Sequence, residues 1–386
     1  MASSKDNTYS GNKGEWSEIY VFLRLLDIGK LNVADDDLRA VPNEFYKILE
    51  IIRKETSTTN YYVREDDTVS IRVTNDVSKE VETFSFPISV FAQKADELLN
   101  QMLTTTDTKH QTIANFLKEI QVLSIKDVGH KRDITIKIED FHNGMAQELG
   151  FSIKSFVGAN STLFNAGTGT NFIYRVIPPK GVSIDCDAFN RETYSDKGKI
   201  AGRFAKLVNE LGCQIVFYGV QSKCLDQNLK TIDFCLPQLL AQLLLIRFLK
   251  NTPDLRKCTE FLAEQNPLGF DTETHGPVYE YKVKRFLQDC AMGMTPETPW
   301  LGLYDATGGQ IIVKEDGEIV CYHVYELNRF MEYLYKSTKF ESPSTSEDKE
   351  NPGYPRVNAK KKFFYGWLYE EDGEYRIKLN LQVRFK

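Results

Sequence analysis

The sequence contains few of the patterns that build disulfide frameworks or zinc centres. Its seven cysteines are odd in number, lie far apart and include no CxxC pair. This spacing excludes a disulfide-stapled secreted fold and predicts buried thiols in a reducing cytoplasm. The five histidines form neither an HxxxH nor an HExxH motif, so a zinc site is not expected either.

Long apolar runs are also missing. The most apolar stretch, residues 236–249, is interrupted by Pro237, Gln238, Gln242 and Arg247, and the first ten residues contain no apolar segment. We therefore expect neither secretion nor membrane insertion, and a location in the cytoplasm.

The chain has no excess of positive charge. Forty-eight Lys and Arg stand against 54 Asp and Glu, which gives a formal net charge of −6 and excludes a polybasic protein that coats nucleic acid. Residues 351–386 differ from the rest, with eight basic residues and four acidic ones. This segment predicts a local surface that contacts phosphates.

Six basic side chains in the C-terminal part of the chain are the candidates for DNA contact: Lys336, Lys339, Arg356, Lys360, Lys361 and Lys362. Small hydroxyl residues accompany the lysines between 336 and 346, as in loops that face DNA, although a solvated loop has the same composition. The aromatic residues at 363–365 favour core packing over base stacking.

The order of predicted elements indicates an α/β protein of the α+β type, in which helices flank a mixed sheet. With 386 residues, 41% of them hydrophobic, the chain is long enough for two or three domains. Apolar spacing predicts a helix over residues 14–26 that Gly29 ends, and another over residues 43–54. Residues 237–249, with leucines on every side, predict a fully buried helix. Hairpins dominate from Trp300 onward.

One predicted hairpin combines apolar alternation with chemically useful side chains. In residues 133–155, two alternating runs surround Asn143-Gly144, the strongest short signal for a hairpin turn. A two-residue turn there pairs Asp133 with Lys154 and Thr135 with Ser152. In this register the large apolar side chains share one face of the hairpin, and the polar ones share the other.

A carboxylate facing a lysine on such a surface suits metal-dependent phosphodiester hydrolysis. The acid binds Mg²⁺, and the lysine orients the attacking water or stabilises charge in the transition state. Asp133 and Lys154 are therefore predicted to be catalytic. A further metal carboxylate is predicted in the first helix, from Glu18 or Glu15. Glu18 is favoured because it lies among apolar residues.

Each of these residues also has a simpler interpretation. Asp133 and Lys154 could form a cross-strand ion pair of little energetic value. Glu15 could complement the positive end of the helix dipole, and Asp140, which falls on the apolar face, is typical of a turn. On spacing alone the ion pair is the favoured interpretation.

The hairpin resembles the PD-(D/E)XK nuclease core, in which a strand that opens with Asp pairs with a strand bearing (D/E)-x-Lys. Asp133 and Lys154 match this pattern, whereas Ser152 stands where the family has an acid. The resemblance implies a catalytic position for Ser152. Because the family's acid is missing at position 152, Glu18, or a backbone carbonyl such as that of Ile153, gains weight as a metal ligand.

Four longer runs resemble the HpaII family of type II restriction endonucleases. They are GNKGEWSEIYVFLRLLDIGKL at 11–31, LGFSIKSFVGANSTLFNAGTGTNFIY at 149–174, YDATGGQIIVKEDGEIVCYHVY at 304–325 and LNLQVRF at 379–385. The resemblance implies a bacterial, cytoplasmic, Mg²⁺-dependent enzyme that cuts double-stranded DNA at CCGG after the first cytosine. It also implies a protecting cytosine methyltransferase in the same cell.

On this basis we expect two regions. Residues 1–295 are expected to form a nuclease domain with a PD-(D/E)XK-like core, elaborated at its N-terminus by a helix and a hairpin, and residues 296–386 a β-rich region that contacts DNA. Two alternatives stay open: a nuclease of the same core that acts on branched or methylated DNA, and a catalytically inactive, sequence-specific DNA-binding protein.

Overall fold

The computed structural model describes residues 8–125, 132–141, 144–158, 161–192, 199–304, 306–343, 347–350, 354 and 364–386. The chain divides into two compact units. The first comprises Met1–Ser161 and Tyr304–Tyr333, and the second comprises Thr162–Leu303 and Leu334–Lys386. This division does not follow the expected boundary at residue 295, because the chain returns to the first unit after completing most of the second.

The first pass through unit 1 contains three helices and seven strands among the described residues. In chain order these are α1 (Lys13–Ile28), β1 (Lys30–Ala34), β2 (Ala40–Lys54), β3 (Thr58–Arg64), β4 (Thr68–Asn75), β5 (Val81–Pro87), α2 (Ile88–Thr104), α3 (Gln111–Glu119), β6 (Ile134–Glu139) and β7 (Ala146–Ser155).

Unit 2 is mainly helical before the chain returns to unit 1. Its elements are β8 (Thr162–Phe164), β9 (Asn171–Ile177), α4 (Cys186–Arg191), α5 (Lys199–Ala205), β10 (Gln214–Val220), α6 (Lys223–Ile232), α7 (Leu236–Leu249), α8 (Leu255–Gln265), α9 (Thr272–His275) and α10 (Val278–Ala291). The last part of the chain contains β11 (Gly309–Val313), β12 (Ile319–His323), α11 (Leu327–Ser337), β13 (Thr338–Phe340), β14 (Leu368–Glu371), β15 (Glu374–Asn380) and β16 (Val383–Phe385).

The described strands of unit 1 form one mixed sheet in the order β1-β12-β11-β7-β6-β2-β3-β4-β5. β11 runs parallel to β7 and β1 runs parallel to β12, whereas the other neighbours are antiparallel. The expected mixed sheet flanked by helices is therefore confirmed. β7 lies in the interior of this sheet, between β6 and β11, so both of its edges are paired.

Helix α1 forms where the sequence predicts it. Asn12 accepts a hydrogen bond from the Glu15 N–H, and the Glu15 carboxylate accepts one from the Asn12 N–H, so two backbone donors at the helix start are satisfied. Gly29 ends the helix in the left-handed conformation, with φ of 67°. The helix buries its apolar side chains, Trp16 and Phe22 among them, in the core of unit 1.

The helix predicted over residues 43–54 is wrong, because this segment belongs to the long strand β2. A bulge between Ile48 and Glu50 shifts its register against β6. The buried positions Tyr46, Ile48 and Ile51 are therefore separated first by two residues and then by three. That irregular spacing imitates the period of a helix, although each half of the strand alternates normally.

In unit 2, the predicted buried helix is confirmed as α7, whose leucines are all buried except the last one, Leu249. Hairpins are expected from Trp300 onward, and one forms at Asp372-Gly373, where β14 and β15 pair and both turn residues have positive φ. Among the described residues, no single helix is long and apolar enough to cross a membrane. Only α6 and α7 taken together reach that length and composition, and they bend by 106°.

Candidate active site

The predicted hairpin of β6 and β7 forms, but its register differs from the prediction. Ile134 lies opposite Phe151 and Thr135 lies opposite Gly150, so the pairing is displaced by two residues. Asp133 consequently lies beside Ser152, and its N–H donates to the carbonyl of Phe151 at 3.0 Å. The predicted direct pairing of Asp133 with Lys154 is wrong.

The displacement arises from a wider turn than Asn143-Gly144 alone would make. The Asp140 N–H donates to the Met145 carbonyl, and the Gly144 N–H donates to the Asp140 carbonyl, so the turn between Asp140 and Met145 encloses four residues rather than two. His142 and Asn143 lie outside the described residues. A shift by two residues preserves which side chains share a face, so Asp133, Ser152 and Lys154 still share the face opposite Ile134 and Phe151.

The carboxylate of Asp133 is held at the end of β6 by two donors from β7. The Ile153 N–H donates to its Oδ2 at 2.6 Å, and the Ser152 hydroxyl donates to the same oxygen at 3.1 Å. The carboxylate thus replaces a backbone carbonyl at the point where the β6 ladder stops. Neither bond uses Oδ1, so that oxygen can serve another ligand.

Lys154 follows two residues after Ser152 on the same face of β7. It is half-buried, and its neighbour on the parallel strand β11 is Ile312. Its ammonium group is therefore carried on the strand that fixes Asp133, one diagonal position away from it. The predicted catalytic residues on the hairpin are brought together, although not as a directly opposed pair.

The two glutamates of α1 have a different setting. Glu15 is used in the capping arrangement at the start of the helix, and Glu18 is half-buried. The Ser17 and Ser155 hydroxyls hydrogen-bond at 2.8 Å, and Ser155 lies on the face of β7 opposite Ser152 and Lys154. Helix α1 therefore packs against the other face of this strand. Roles for Glu15 and Glu18 as metal ligands stay predictions.

Acidic and other metal-binding side chains do not gather elsewhere in the described part of the chain. No group of three or more His, Cys, Asp or Glu side chains there is placed to hold a metal ion. Asp133, Glu15 and Glu18 thus do not form a three-carboxylate cluster in this structure. All seven cysteines are free thiols.

Sequence reasoning missed one polar residue beside the hairpin, Gln310. It pairs in register with Ser152 across the parallel β7–β11 contact, so the two side chains share a face. Gln310 is fully buried, and neither its Oε1 nor its Nε2 has a hydrogen-bond partner. The signal in the sequence is a glutamine that opens the apolar run IIV immediately after two glycines.

Those two glycines allow β11 to reach this register. A side chain at Gly308 would meet the ring of Phe151, and one at Gly309 would overlap the carbonyl oxygen of Tyr322. Gly309 also has φ of 110°, which disfavours other residues. β11 can therefore approach β7 and β12 closely at the position of Gln310.

The neighbour of Gln310 on its other side is Tyr322 of β12. The Tyr322 ring stacks on Tyr333 and its hydroxyl donates to the Asp35 carbonyl. Burial raises the pKa of Tyr322 above its usual range, so the phenol stays protonated and its proton is already donated. Tyr322 therefore closes this side of Gln310 without pairing with the amide.

A small pocket opens beside Asp133 on the same face of the sheet. Its volume is about 170 Å³. The lining residues come from β2, β3, β7 and the start of β6: Ile52, Lys54, Thr59, Tyr61, Arg132, Thr135 and Glu148. The lining carries two cations, Lys54 and Arg132, against one carboxylate, Glu148, and this excess of positive charge suits a phosphate group.

The predicted DNA-contacting residues are only partly described. Lys336 lies in the last turn of α11 and Lys339 lies in β13, both half-buried and both in unit 2. Arg356, Lys360, Lys361 and Lys362 lie outside the described residues. Roles in DNA contact stay predictions for all six.

Part of the positive charge in the C-terminal segment is already paired. Arg376 forms ion pairs with Glu371, Asp372 and Glu374 around the β14–β15 turn, and Lys386 pairs with Asp254 at 2.8 Å. The acids around Arg376 are already counted in the local excess of basic residues, so of these pairs only the one with Asp254 lowers the positive charge that this segment can present to a phosphate backbone.

A mixed sheet carrying Asp133, Ser152 and Lys154 on one face is consistent with a nuclease, and comparison with known proteins identifies the class. A family model described as HpaII restriction endonuclease matches residues 12–385, so the chain belongs to the HpaII family of type II restriction endonucleases. It is similar to the type II restriction enzyme HpaII of Haemophilus parainfluenzae, with 35% identity over 381 residues, covering 98% of this chain and 99% of the relative.

No solved structure matches the chain. Membership of this family makes the protein a site-specific deoxyribonuclease that acts on double-stranded DNA.

Proposed function

We propose that the protein hydrolyses double-stranded DNA at CCGG in a Mg²⁺-dependent reaction, with Asp133 and Lys154 in the catalytic site of a PD-(D/E)XK-like core. The observation that carries this proposal is the fixed carboxylate of Asp133, which accepts hydrogen bonds from the Ser152 hydroxyl and the Ile153 N–H. Lys154 lies on the same face of β7. The resemblance of the chain to HpaII over nearly its whole length supports the choice of CCGG.

The residues around Asp133 fit a magnesium ion because the side chains that can bind it offer oxygen. Mg²⁺ is commonly bound by one or two carboxylates together with waters and substrate phosphates. Asp133 supplies the carboxylate, with Oδ1 open to the ion, while Ser152 and the carbonyl of Ile153 offer further oxygens. Glu18, or less directly Glu15, stays a proposed second carboxylate. When bound, the ion would neutralise charge on the scissile phosphate and lower the pKa of a water molecule.

The protein's own groups do the remaining work. Ser152 and the Ile153 N–H hold Asp133 in one orientation, so the anionic ligand is in place before DNA arrives. Lys154 provides a positive charge on the same face, where it orients the attacking water and stabilises the extra negative charge of the pentavalent transition state. The pocket lined by Lys54 and Arg132 accepts a neighbouring phosphate.

Basic residues in the C-terminal part of the chain are proposed to bind the DNA substrate. Lys336, Lys339, Arg356, Lys360, Lys361 and Lys362 are proposed to contact the DNA backbone. A cytosine methyltransferase in the same bacterial cytoplasm would protect host DNA from cleavage.

Digestion of a defined plasmid by the purified chain with Mg²⁺, followed by sequencing of the ends, tests the proposal. We expect cuts after the first cytosine of CCGG and none without a divalent ion. A plasmid with methylated CCGG sites and a branched duplex serve as matched substrates. Preferential cutting of either would favour the alternative nuclease.

Ser152 supports one alternative from a different class, because it replaces an acid that the core normally carries. A catalytically inactive protein would bind CCGG tightly and leave it intact with Mg²⁺ or Mn²⁺. A mobility-shift assay run beside the digestion separates the two, and tight binding without cutting would overturn the proposed reaction.

A further inference from the structure

Gln310 is a buried polar side chain that the hairpin mechanism does not use. It is fully buried, and both ends of its amide lack a hydrogen-bond partner. A buried amide loses its hydrogen bonds to water, so leaving it unpaired costs free energy. Such a group in a native structure points to a missing partner or to a functional role.

The position of Gln310 indicates which partner is missing. Among its neighbours on the same face of the sheet, Ser152 lies directly beside it on β7 and Tyr322 lies directly beside it on β12. The Ser152 hydroxyl donates to Asp133, and the Tyr322 hydroxyl donates to Asp35. Both neighbouring hydroxyl protons are therefore already committed, which leaves the Gln310 Oε1 without a donor from either.

We propose that Oε1 of Gln310 is a ligand of the divalent ion and supplies an oxygen that Ser152 cannot supply as a carboxylate. This inference rests on the proposed function, because it assumes that Asp133 binds the same ion. A carboxamide oxygen is a hard, neutral donor of the kind that Mg²⁺ and Mn²⁺ accept. The nearby Ser152 oxygen can still accept a hydrogen bond from Nε2.

With Gln310 as a neutral oxygen ligand, the site needs only one fixed carboxylate on the hairpin. An acid at position 152 would place two negative charges side by side on β7 and β6, and they would repel each other in the ion-free protein. A serine that donates to Asp133, together with a neutral amide on β11, provides oxygens without that repulsion. The Gln310 oxygen then gains the partner that it lacks in the ion-free protein, and no repulsion between neighbouring carboxylates has to be relieved.

Binding of Mn²⁺ without DNA tests this inference, with the free ion measured by electron paramagnetic resonance on the full chain. For Gln310→Leu we expect the dissociation constant for Mn²⁺ to rise at least about tenfold, because even the loss of a residue that only orients a metal ligand typically costs about 10–100-fold in affinity. The ion-free Gln310→Leu protein should melt at the same temperature as the wild type or higher, because the variant removes an unpaired polar group without leaving a partner.

Gln288 offers a matched control. It lies on α10 in unit 2, is buried, and its Oε1 also has no hydrogen-bond partner. Gln288→Leu makes the same chemical change in the other unit, and we expect it to leave the affinity for Mn²⁺ unchanged. An equal loss of affinity in both variants would indicate a general effect on folding and would overturn the assignment.

A second variant decides the question if Gln310→Leu does not fold. Gln310→Glu keeps an oxygen ligand at this position and adds a negative charge. Its ion-free form should therefore melt at a lower temperature than the wild type, and Mn²⁺ should raise the melting temperature again. A melting temperature that stays low with Mn²⁺ would refute the ligand role.

Two further results separate this inference from the proposed function. If the wild type cuts CCGG and folded Gln310→Leu binds Mn²⁺ as tightly as the wild type does, only the role of Gln310 fails. If the wild type neither binds the ion nor cuts DNA, the proposed function fails and the ligand role fails with it.

Discussion

Replacement of Asp133 by asparagine is the most direct test of the site, because it removes a charge while keeping the size of the side chain. The carboxylate accepts one hydrogen bond from Ile153 and one from Ser152. Bonds to charged groups contribute about 1.5–3 kcal/mol each. Asp133 is half-buried, and asparagine retains one acceptor oxygen for the Ile153 N–H. We therefore expect a loss of only about 1 kcal/mol in the free energy of unfolding.

The effect of Asp133→Asn on cleavage should be much larger than its effect on folding. Without the anionic ligand, the ion is held weakly and the charge of the scissile phosphate is poorly neutralised. We expect cleavage to slow at least about 100-fold, which corresponds to about 2.7 kcal/mol in the activation barrier. Urea unfolding measures the first quantity, and single-turnover cleavage of a CCGG duplex measures the second.

A serine on the opposite face of β7 provides the control for this experiment. The Ser155 hydroxyl bonds to Ser17 on α1, so Ser155→Ala removes a hydroxyl from the same strand without touching Asp133. We expect Ser155→Ala to lower stability by a similar amount and to leave cleavage unchanged. A folded Asp133→Asn protein that cuts DNA within a few-fold of the wild-type rate would refute the assignment of Asp133.

Three further predictions follow from the same side chains and from the chain's charge. Lys154→Met should abolish cleavage but leave mobility-shift binding to CCGG in Ca²⁺ nearly intact; equal rates for variant and wild type would remove the lysine from the mechanism. Neutralising residues 360–362 should weaken DNA binding and flatten the dependence of log K on log salt by up to about 2.7 for three phosphate contacts, and an unaltered slope would exclude them from the interface. Burial lowers the pKa of His110, with the nearby charge of Lys13 acting in the same direction and that of Asp107 opposing both. Its neutral form therefore stabilises the fold above the unfolded value of about 6.5, and this contribution is lost as pH falls through the folded-state pKa. Urea unfolding over that range should show a flatter pH dependence for His110→Gln, and identical curves would contradict this sign.

Local patterns predicted much of the fold because their physical causes are local. The span of α1 follows from apolar spacing, the capping pair Asn12 and Glu15, and the terminating Gly29. Helix α7 follows from the high density of leucine in residues 236–249, which places apolar side chains on every side of the helix. The long strand β2 was mispredicted because a bulge depends on how the neighbouring strand pairs, and this pairing is not encoded within residues 40–54 alone.

The candidate site was predictable in its residue types but not in its geometry. Alternation gave the correct face for Asp133, Ser152 and Lys154, since a displacement by two residues preserves faces. The direct pair failed because the turn includes four residues rather than two. Gln310 could not be found from the hairpin, because β11 lies more than 150 positions further along the sequence and meets β7 only through tertiary pairing.

The insertion of unit 2 between β7 and β11 has a consequence for how the protein is made. A ribosome completes the hairpin of β6 and β7 long before it reaches residue 309. The edge of β7 that pairs with β11 therefore stays unpaired while residues 162–303 are synthesised. Translation products that stop inside that stretch carry Asp133 and Lys154 but have an unpaired strand edge, which is a target for chaperones and proteases. Both strands that flank β7 are present only once the polypeptide extends past Val313.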